Sequence, residues 1–279
     1  MKQPLVSVVM SVWNEEKYLT ASIESILNQT FTDYEFVIIN DGSTDRTQEI
    51  LEIFVHKDTR IKLILNAMNV GCAASLNKGI EIARGKYIAR MDSGDISNPT
   101  RFEKQVNYLE GEKNVSALGT CGYWIDEHKQ VIATWNVVPT INSTILYKGA
   151  PTIDPSLMIT KELFNTIGFY KTKYNAYDFE FLARALKNHI TIANLQDYLF
   201  STMRRRGGLQ YRSIRRERAG VLRTKFSYLP YFLSCKSMFY TLKSLVGCCL
   251  PTSVMEKLAD RWIMQSAVST KTPTANDIT

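Results

Sequence analysis

Four short stretches in the first hundred residues gather the side chains that could do chemistry: Trp13-Asn14-Glu15, Asn40-Asp41-Gly42-Ser43, Asn66 to Gly71, and Asp92-Ser93-Gly94-Asp95. Carboxylates, carboxamides and one indole can hydrogen-bond a base or ribose, stack on a ring, or ligate a hard divalent cation. The glycine-rich loops of other nucleotide sites are missing. A dinucleotide fold needs GxGxxG after its first strand and an NTPase needs GxxxxGK[ST], whereas Ser11-Val12-Trp13-Asn14-Glu15 has no glycine. What is left is a nucleotide held by side chains and, usually, a metal. Singly, each acid has a plainer explanation, because Asp and Asn populate turns and caps. Four such loops on one edge favour a ligand site.

The segments between these loops alternate in period. Leu5–Trp13 is a Val-rich strand, and the next segment, through Thr30, carries apolar residues at Tyr18, Leu19, Ile23, Ile26 and Leu27, the spacing of an amphipathic helix. The unit repeats as a strand over Tyr34–Asn40 and a helix over Thr44–Phe54, with Ser43 or Thr44 as N-cap. A third pair reads as Ile61–Leu65 and roughly 71–84, and a fourth strand as Lys86–Met91. Repeated β-α units imply a mostly parallel sheet covered by helices, with ligands bound beyond the carboxyl ends of the strands. All four polar loops fall at those ends.

Composition bounds the rest. A chain of 279 residues with 45% hydrophobic and 22% charged residues can bury a full core and is neither disordered nor collagen-like. Five cysteines without a CxxC argue against a disulfide framework or structural zinc, so a reducing, cytoplasmic setting is expected. The N-terminus lacks the pattern of a signal peptide. Charge is uneven: the first 200 residues carry 20 basic and 23 acidic side chains, while Ser201–Lys225 alone holds nine basic residues against Glu217. Such a cluster attracts phosphate or an anionic membrane surface. Nucleic acid is disfavoured, as no recognition fold is evident.

At these residues the sequence resembles the family 2 inverting glycosyltransferases, which have a GT-A fold and use nucleotide-diphosphate sugars. The matching text is Val6-Ser-Val-Val-Met-Ser-Val-Trp-Asn-Glu-Glu, Ser25-Ile-Leu-Asn-Gln-Thr, Val37-Ile-Ile-Asn-Asp-Gly-Ser-Thr-Asp, Asn69-Val-Gly, Leu76-Asn-Lys-Gly-Ile and Ala83-Arg-Gly-Lys-Tyr-Ile-Ala-Arg-Met-Asp. The resemblance covers roughly residues 4 to 205. It implies a GT-A domain over 1–210, with a donor half to about 97 and an acceptor half from 98, followed by a basic helical tail over 211–279. It implies donor contacts from Ser11, Trp13, Glu15, Asp41, Asp92, Arg204 and Arg205, with Trp13 stacking on the base and Asp41 accepting from a uracil imide. Asp92 opens the family's DxD element, so Asp92 and Asp95 would hold Mn²⁺ or Mg²⁺. Asp178, in Tyr177-Asp-Phe-Glu-Phe-Leu-Ala-Arg, is the implied general base; the plainer alternative is a helix-capping carboxylate, and Glu180 is the second candidate. The product class implied is a bacterial surface polysaccharide, capsule or lipopolysaccharide, made by hexosyl or N-acetylhexosaminyl transfer.

Three departures bear on activity. Gly94 occupies the second position of the DxD, Tyr177 replaces the Glu of a frequent Glu-Asp pair, and arginines replace the His that often follows the last core strand. Either Gly94 lets the loop turn so that Asp95 reaches in, or guanidinium groups from Arg204–Arg206 substitute for the ion, or the chain is a catalytically reduced member that binds or scaffolds. Tyr170, Tyr174 and Tyr177 read as packing residues rather than a stacking surface. Tyr228–Leu250 is apolar but carries Lys236 and Lys243, so it reads as an interfacial helix and not a span. Its partner is either an anionic membrane, peripherally at the inner face where a glycan or lipid-linked acceptor is met, or the protein itself, including a homo-oligomer.

Overall fold

The first half is built from apolar runs, each ending in one of the polar loops. In this computed structural model, which describes residues 3–149, 151–204 and 209–250 with Val254, Lys257 and Leu258, strand β1 spans Val6–Val12, helix α1 Leu19–Leu27, β2 Tyr34–Asn40, α2 Thr47–Lys57, β3 Ile61–Leu65, α3 Cys72–Ile82 and β4 Tyr87–Asp92. Strand β2 is buried along all seven residues, as expected of a central strand covered on both faces. The order β3-β2-β1-β4 is parallel throughout.

Two helices start later than their spacing predicts. Glu15 takes Tyr18 and Leu19 N–H on its carbonyl in a turn, so α1 begins at Leu19. Ser43 and Thr44 do not cap α2: Ser43 Oγ accepts from Asn14 N–H, and Thr44 N–H donates to Asn14 Oδ1, so both bind the first loop instead. Asp45 serves the helix start, its Oδ1 accepting from Thr47 N–H at 3.0 Å.

The second half is mixed. It runs β5 (Ile96–Ser97), α4 (Arg101–Gly111), β6 (Val115–Ile125), β7 (Val131–Trp135), α5 (Ser143–Lys148), a 3-10 turn at Asp154–Ser156, β8 (Met158–Thr160), α6 (Lys161–Ile167), α7 (Tyr177–Lys187), β9 (Thr191–Met203), α8 (Leu209–Tyr228) and α9 (Cys235–Cys248). Strand β8 joins β4 and β6 antiparallel, and β9 then runs parallel to β6, giving one continuous sheet, β3-β2-β1-β4-β8-β6-β9-β5, with β7 paired to β6. Alternating residues of the central strands feed two cores, one under α1 and α4 around Val8, Met10, Phe36 and Ile38, the other under α3, α6 and α7 around Val9, Val37 and Ile39. Helix α8 packs on α7, and α9 on α8 and α5. No described helix is long and apolar enough to cross a membrane.

Candidate active site

The carboxyl ends of β1, β2 and β4 open into a cleft of about 970 Å³. Its walls bring together Ser11, Trp13, Glu15, Asp41, Asp92, Asp95 and Asp178, seven of the nine residues expected from sequence. Arg204 follows Met203 at the end of β9, its N–H donating to Ile125 O, and is not among the lining residues. Arg205 lies outside the described residues.

The first two loops hold each other. Asn14, in the left-handed region at φ 54°, exchanges bonds with Ser43 and Thr44, and Glu15 N–H donates to Thr47 Oγ1 at 2.8 Å. Gly42 is required where the second loop meets the third: at φ 68°, a Cβ there would sit 2.5 Å from Met68 C. This clasp sets Trp13 at the cleft wall. Asp41, nearly fully buried, takes Asn66 Nδ2–H and Val70 N–H on Oδ1 and Gly71 N–H on Oδ2, all at 2.8–2.9 Å. Burial pushes its carboxyl up, but the hydrogen bonds from Val70, Asn66, Ser75 and Gly71 outweigh it, and the group is held below its ordinary value. It is a fixed, ionised acceptor.

Sequence reasoning missed what lies under Asp92. Arg90 is fully buried and its Nη2 bridges two carboxylates, Asp92 Oδ1 at 3.0 Å and Asp154 Oδ2 at 3.1 Å. Burial opposes its charge, and Asp92 and Asp154 restore it. Two residues before Asp92 on the same strand, Arg90 points the same way, a period-of-two signal that could have flagged it. Burial drives the Asp154 carboxyl up to about 7, opposed by Arg90 and aided by Asp178 and Asp92.

Gly94 has φ 96°, and its N–H donates to Ser22 Oγ at 2.7 Å. The turn requires glycine, and it brings the next carboxylate to the cleft, where Asp95 Oδ1 accepts from Met203 N–H at 3.1 Å. Asp92 and Asp95 each direct one oxygen to a protein donor and both line the cleft, so hard oxygen ligands of the type that hold Mg²⁺ or Mn²⁺ with substrate phosphates stand in its wall. That donor set fits a divalent ion shared with a diphosphate. Among the described residues, no cluster of three or more His, Cys, Asp or Glu forms a metal cage made by protein alone.

Across the cleft, Asp178 stands in the first turn of α7, behind Ala176 as N-cap residue, so it is not the cap itself. Burial raises its carboxyl, the Phe179 N–H opposes this, and Glu217 adds to it. Glu180 points away: fully buried, it is bound by Arg184, Lys171 and Tyr228 and belongs to the packing of α7 on α8. Tyr170 and Tyr174 are buried packing residues, while Tyr177 lines the cleft and meets Cys72 Sγ at 3.2 Å. Two further features were not read from sequence. Trp124 and Trp135, on paired strands β6 and β7, stack at 4.4 Å and line the cleft. Glu217, Arg218 and Val221 of α8 line it too.

A parallel β-α-β unit ending in a nucleotide-sized cleft, continued by a mixed sheet that supplies the opposite wall, defines a GT-A fold. Solved structures share it: Staphylococcus aureus TarS 1-349 in complex with UDP has TM-score 0.62 at 21% identity, over 79% of this chain and 65% of that one. The mannosyltransferase PcManGT of Pyrobaculum calidifontis, in complex with GDP-Man and Mn²⁺, has TM-score 0.65 at 15% identity over 94% and 81%. Sequence carries the family. The profile of glycosyl transferase family 2 matches residues 7–185, and EpsE of Bacillus subtilis, named as a glycosyltransferase, is 30% identical over 266 residues, 94% of this chain and 95% of that one. The chain belongs to glycosyl transferase family 2 and is a glycosyltransferase.

Proposed function

We propose that the chain transfers one hexosyl or N-acetylhexosaminyl group from a nucleotide-diphosphate donor, read as UDP-linked, to a glycan or lipid-linked acceptor with inversion. The observation that supports this reading is that Asp41, Asp92 and Asp178 line one cleft. Asp41, kept ionised by three donors, accepts from the imide N–H of the base, and Trp13 stacks on it. Ser11, Glu15 and Asp92, which line the cleft, are read as the ribose side. TarS in complex with UDP supports this choice, and PcManGT in complex with GDP-Man is the competing precedent.

The step itself is a single displacement. Asp178 takes the proton of the acceptor hydroxyl as its oxygen bonds the anomeric carbon, while the bond from that carbon to the diphosphate oxygen breaks and the nucleotide leaves with the electron pair. A carboxyl raised by burial holds that proton better than an exposed one. Asp92 and Asp95 would hold a divalent ion, which when bound neutralises the charge developing on the diphosphate. We read residues 1–210 as the transferase unit and 211–279 as its tail, working peripherally at the inner face of a membrane in surface-polysaccharide assembly.

A second reading, a catalytically reduced member that binds nucleotide-sugars or scaffolds a complex, is favoured by Gly94 and by the bond that commits Asp95 to Met203. Calorimetry of UDP and UDP-sugars with and without Mn²⁺ separates the two. Metal-dependent binding, with UDP released on adding acceptor lipid extract, is the expected result. Binding without release on adding acceptor establishes the reduced reading.

A further inference from the structure

Helix α9 is amphipathic the wrong way round for water. Its polar residues face the protein: Ser237 and Thr241 are 1% and 3% exposed, and Ser244 Oγ accepts from the buried Lys225 Nζ at 2.8 Å. Its apolar residues face out: Phe239 and Leu242 are each 61% exposed, and Met238, Leu245 and Val246 share their side at the i, i+1, i+4, i+7, i+8 spacing of one helical stripe. Tyr231 and Leu233, just before the helix, are exposed with them. The exposed Lys236 and Lys243, seven residues apart, border that stripe together. No acidic residue occurs between Glu217 and Glu256, and Glu217 turns into the cleft. A contiguous apolar surface of this kind marks a contact with something other than water.

We propose that this face of α9 is a docking surface for an anionic lipid bilayer, with the apolar stripe entering the headgroup boundary and Lys236 and Lys243 meeting lipid phosphates. A second copy of the chain fits worse, because it would oppose one acid-free, cationic surface to another. The proposal deepens the acceptor reading, on which it rests only for what the membrane delivers. Helix α8 carries Glu217, Arg218 and Val221 into the cleft and packs on α9, so the bilayer would lie about one helix diameter, ~10 Å, from the acceptor wall.

The test is co-sedimentation of the full chain with vesicles of phosphatidylcholine alone and of phosphatidylcholine mixed with phosphatidylglycerol. Wild type should partition to the mixed vesicles and hardly to the neutral ones. Lys236→Gln with Lys243→Gln should lower partition ~30-fold, from about 1 kcal/mol per lysine near an anionic surface. Phe239→Ser with Leu242→Ser should lower it at least ~10-fold, with an unchanged melting temperature because both side chains are exposed. Equal partition to neutral vesicles, unchanged partition of either double variant, or a dimer in light scattering that the Phe239→Ser, Leu242→Ser chain loses would each overturn the proposal. Sedimentation needs no turnover, so absence of transferase activity is a separate result.

Discussion

On the wall built from residues 6–92, Asp41 receives three hydrogen bonds from one loop and is held below its ordinary value. On the opposite wall Asp154, Asp178 and Glu217 are all raised, by burial first and, for Asp154 and Asp178, by neighbouring carboxylates too. On the proposed reading, similar side chains lining one cleft are prepared for opposite tasks. A group that recognises a base must stay an acceptor through the whole cycle, and backbone N–H donors fix it there. A group that takes a proton must hold it, and desolvation provides that. Arg90, on β4, pairs with both Asp92 and Asp154 and offsets part of the repulsion between them.

The largest effect expected from breaking this contrast is on turnover. Asp178→Asn keeps the shape of the first turn of α7 and cannot accept the proton, so kcat should fall ~10³-fold while UDP affinity stays within about twofold. Turnover near wild type in a UDP-release assay would remove Asp178 from its role. Next in size is a stability effect in the first half. Glu35 is held down to about 2: burial raises it, but Lys62, Ser7 and Arg84 outweigh burial. With its folded value depressed, the stability it contributes is present above the unfolded carboxylate range and is lost as pH falls through that range towards 2, by up to about 3 kcal/mol. Thermal melts from pH 7 to pH 3 should drop more steeply for wild type than for Glu35→Gln. Smaller again is Asp41→Asn, which turns an amide N–H towards a backbone donor and should weaken UDP ~30-fold by calorimetry, about 2 kcal/mol. An unchanged Kd would move base recognition elsewhere in the cleft.

The same contrast explains what the sequence made legible. In residues 6–92 each strand feeds directly into a loop that lines the cleft, and β2 and β3 start and stop where their apolar runs do. Local spacing therefore located Trp13, Asp41 and Asp92. In the second half the pairing is non-local: β8 sits between β4 and β6, and β9 pairs with β6 across some 75 residues of chain. No periodicity reports that β6 and β7 will stack Trp124 on Trp135, or that Asp154 will meet Arg90 from 64 residues away. Asp178 was found only through the family resemblance. Glu217 lies beyond even that, outside the matched residues 7–185.

Glu217 is thus the finest probe of the contrast, because it asks whether α8 belongs to the acid-raising wall. Gly220 lets α8 lie so close to the start of α7 that a Cβ would meet Ala176 N at 2.7 Å, which brings Glu217 into the cleft beside Asp178. Its charge contributes to the rise of Asp178. Glu217→Gln removes that repulsion, so the Asp178 carboxyl should fall. Activity that needs Asp178 deprotonated rises with pH through its pKa, so the acid limb of kcat/KM should move to lower pH, by less than about one unit. Wild-type turnover at neutral pH should change only a fewfold, because Asp178 itself is untouched. A limb that moves would join α8 to the catalytic wall despite its place after residue 210. A limb that stays would leave α8 a packing helix, and the raised state of Asp178 to burial alone.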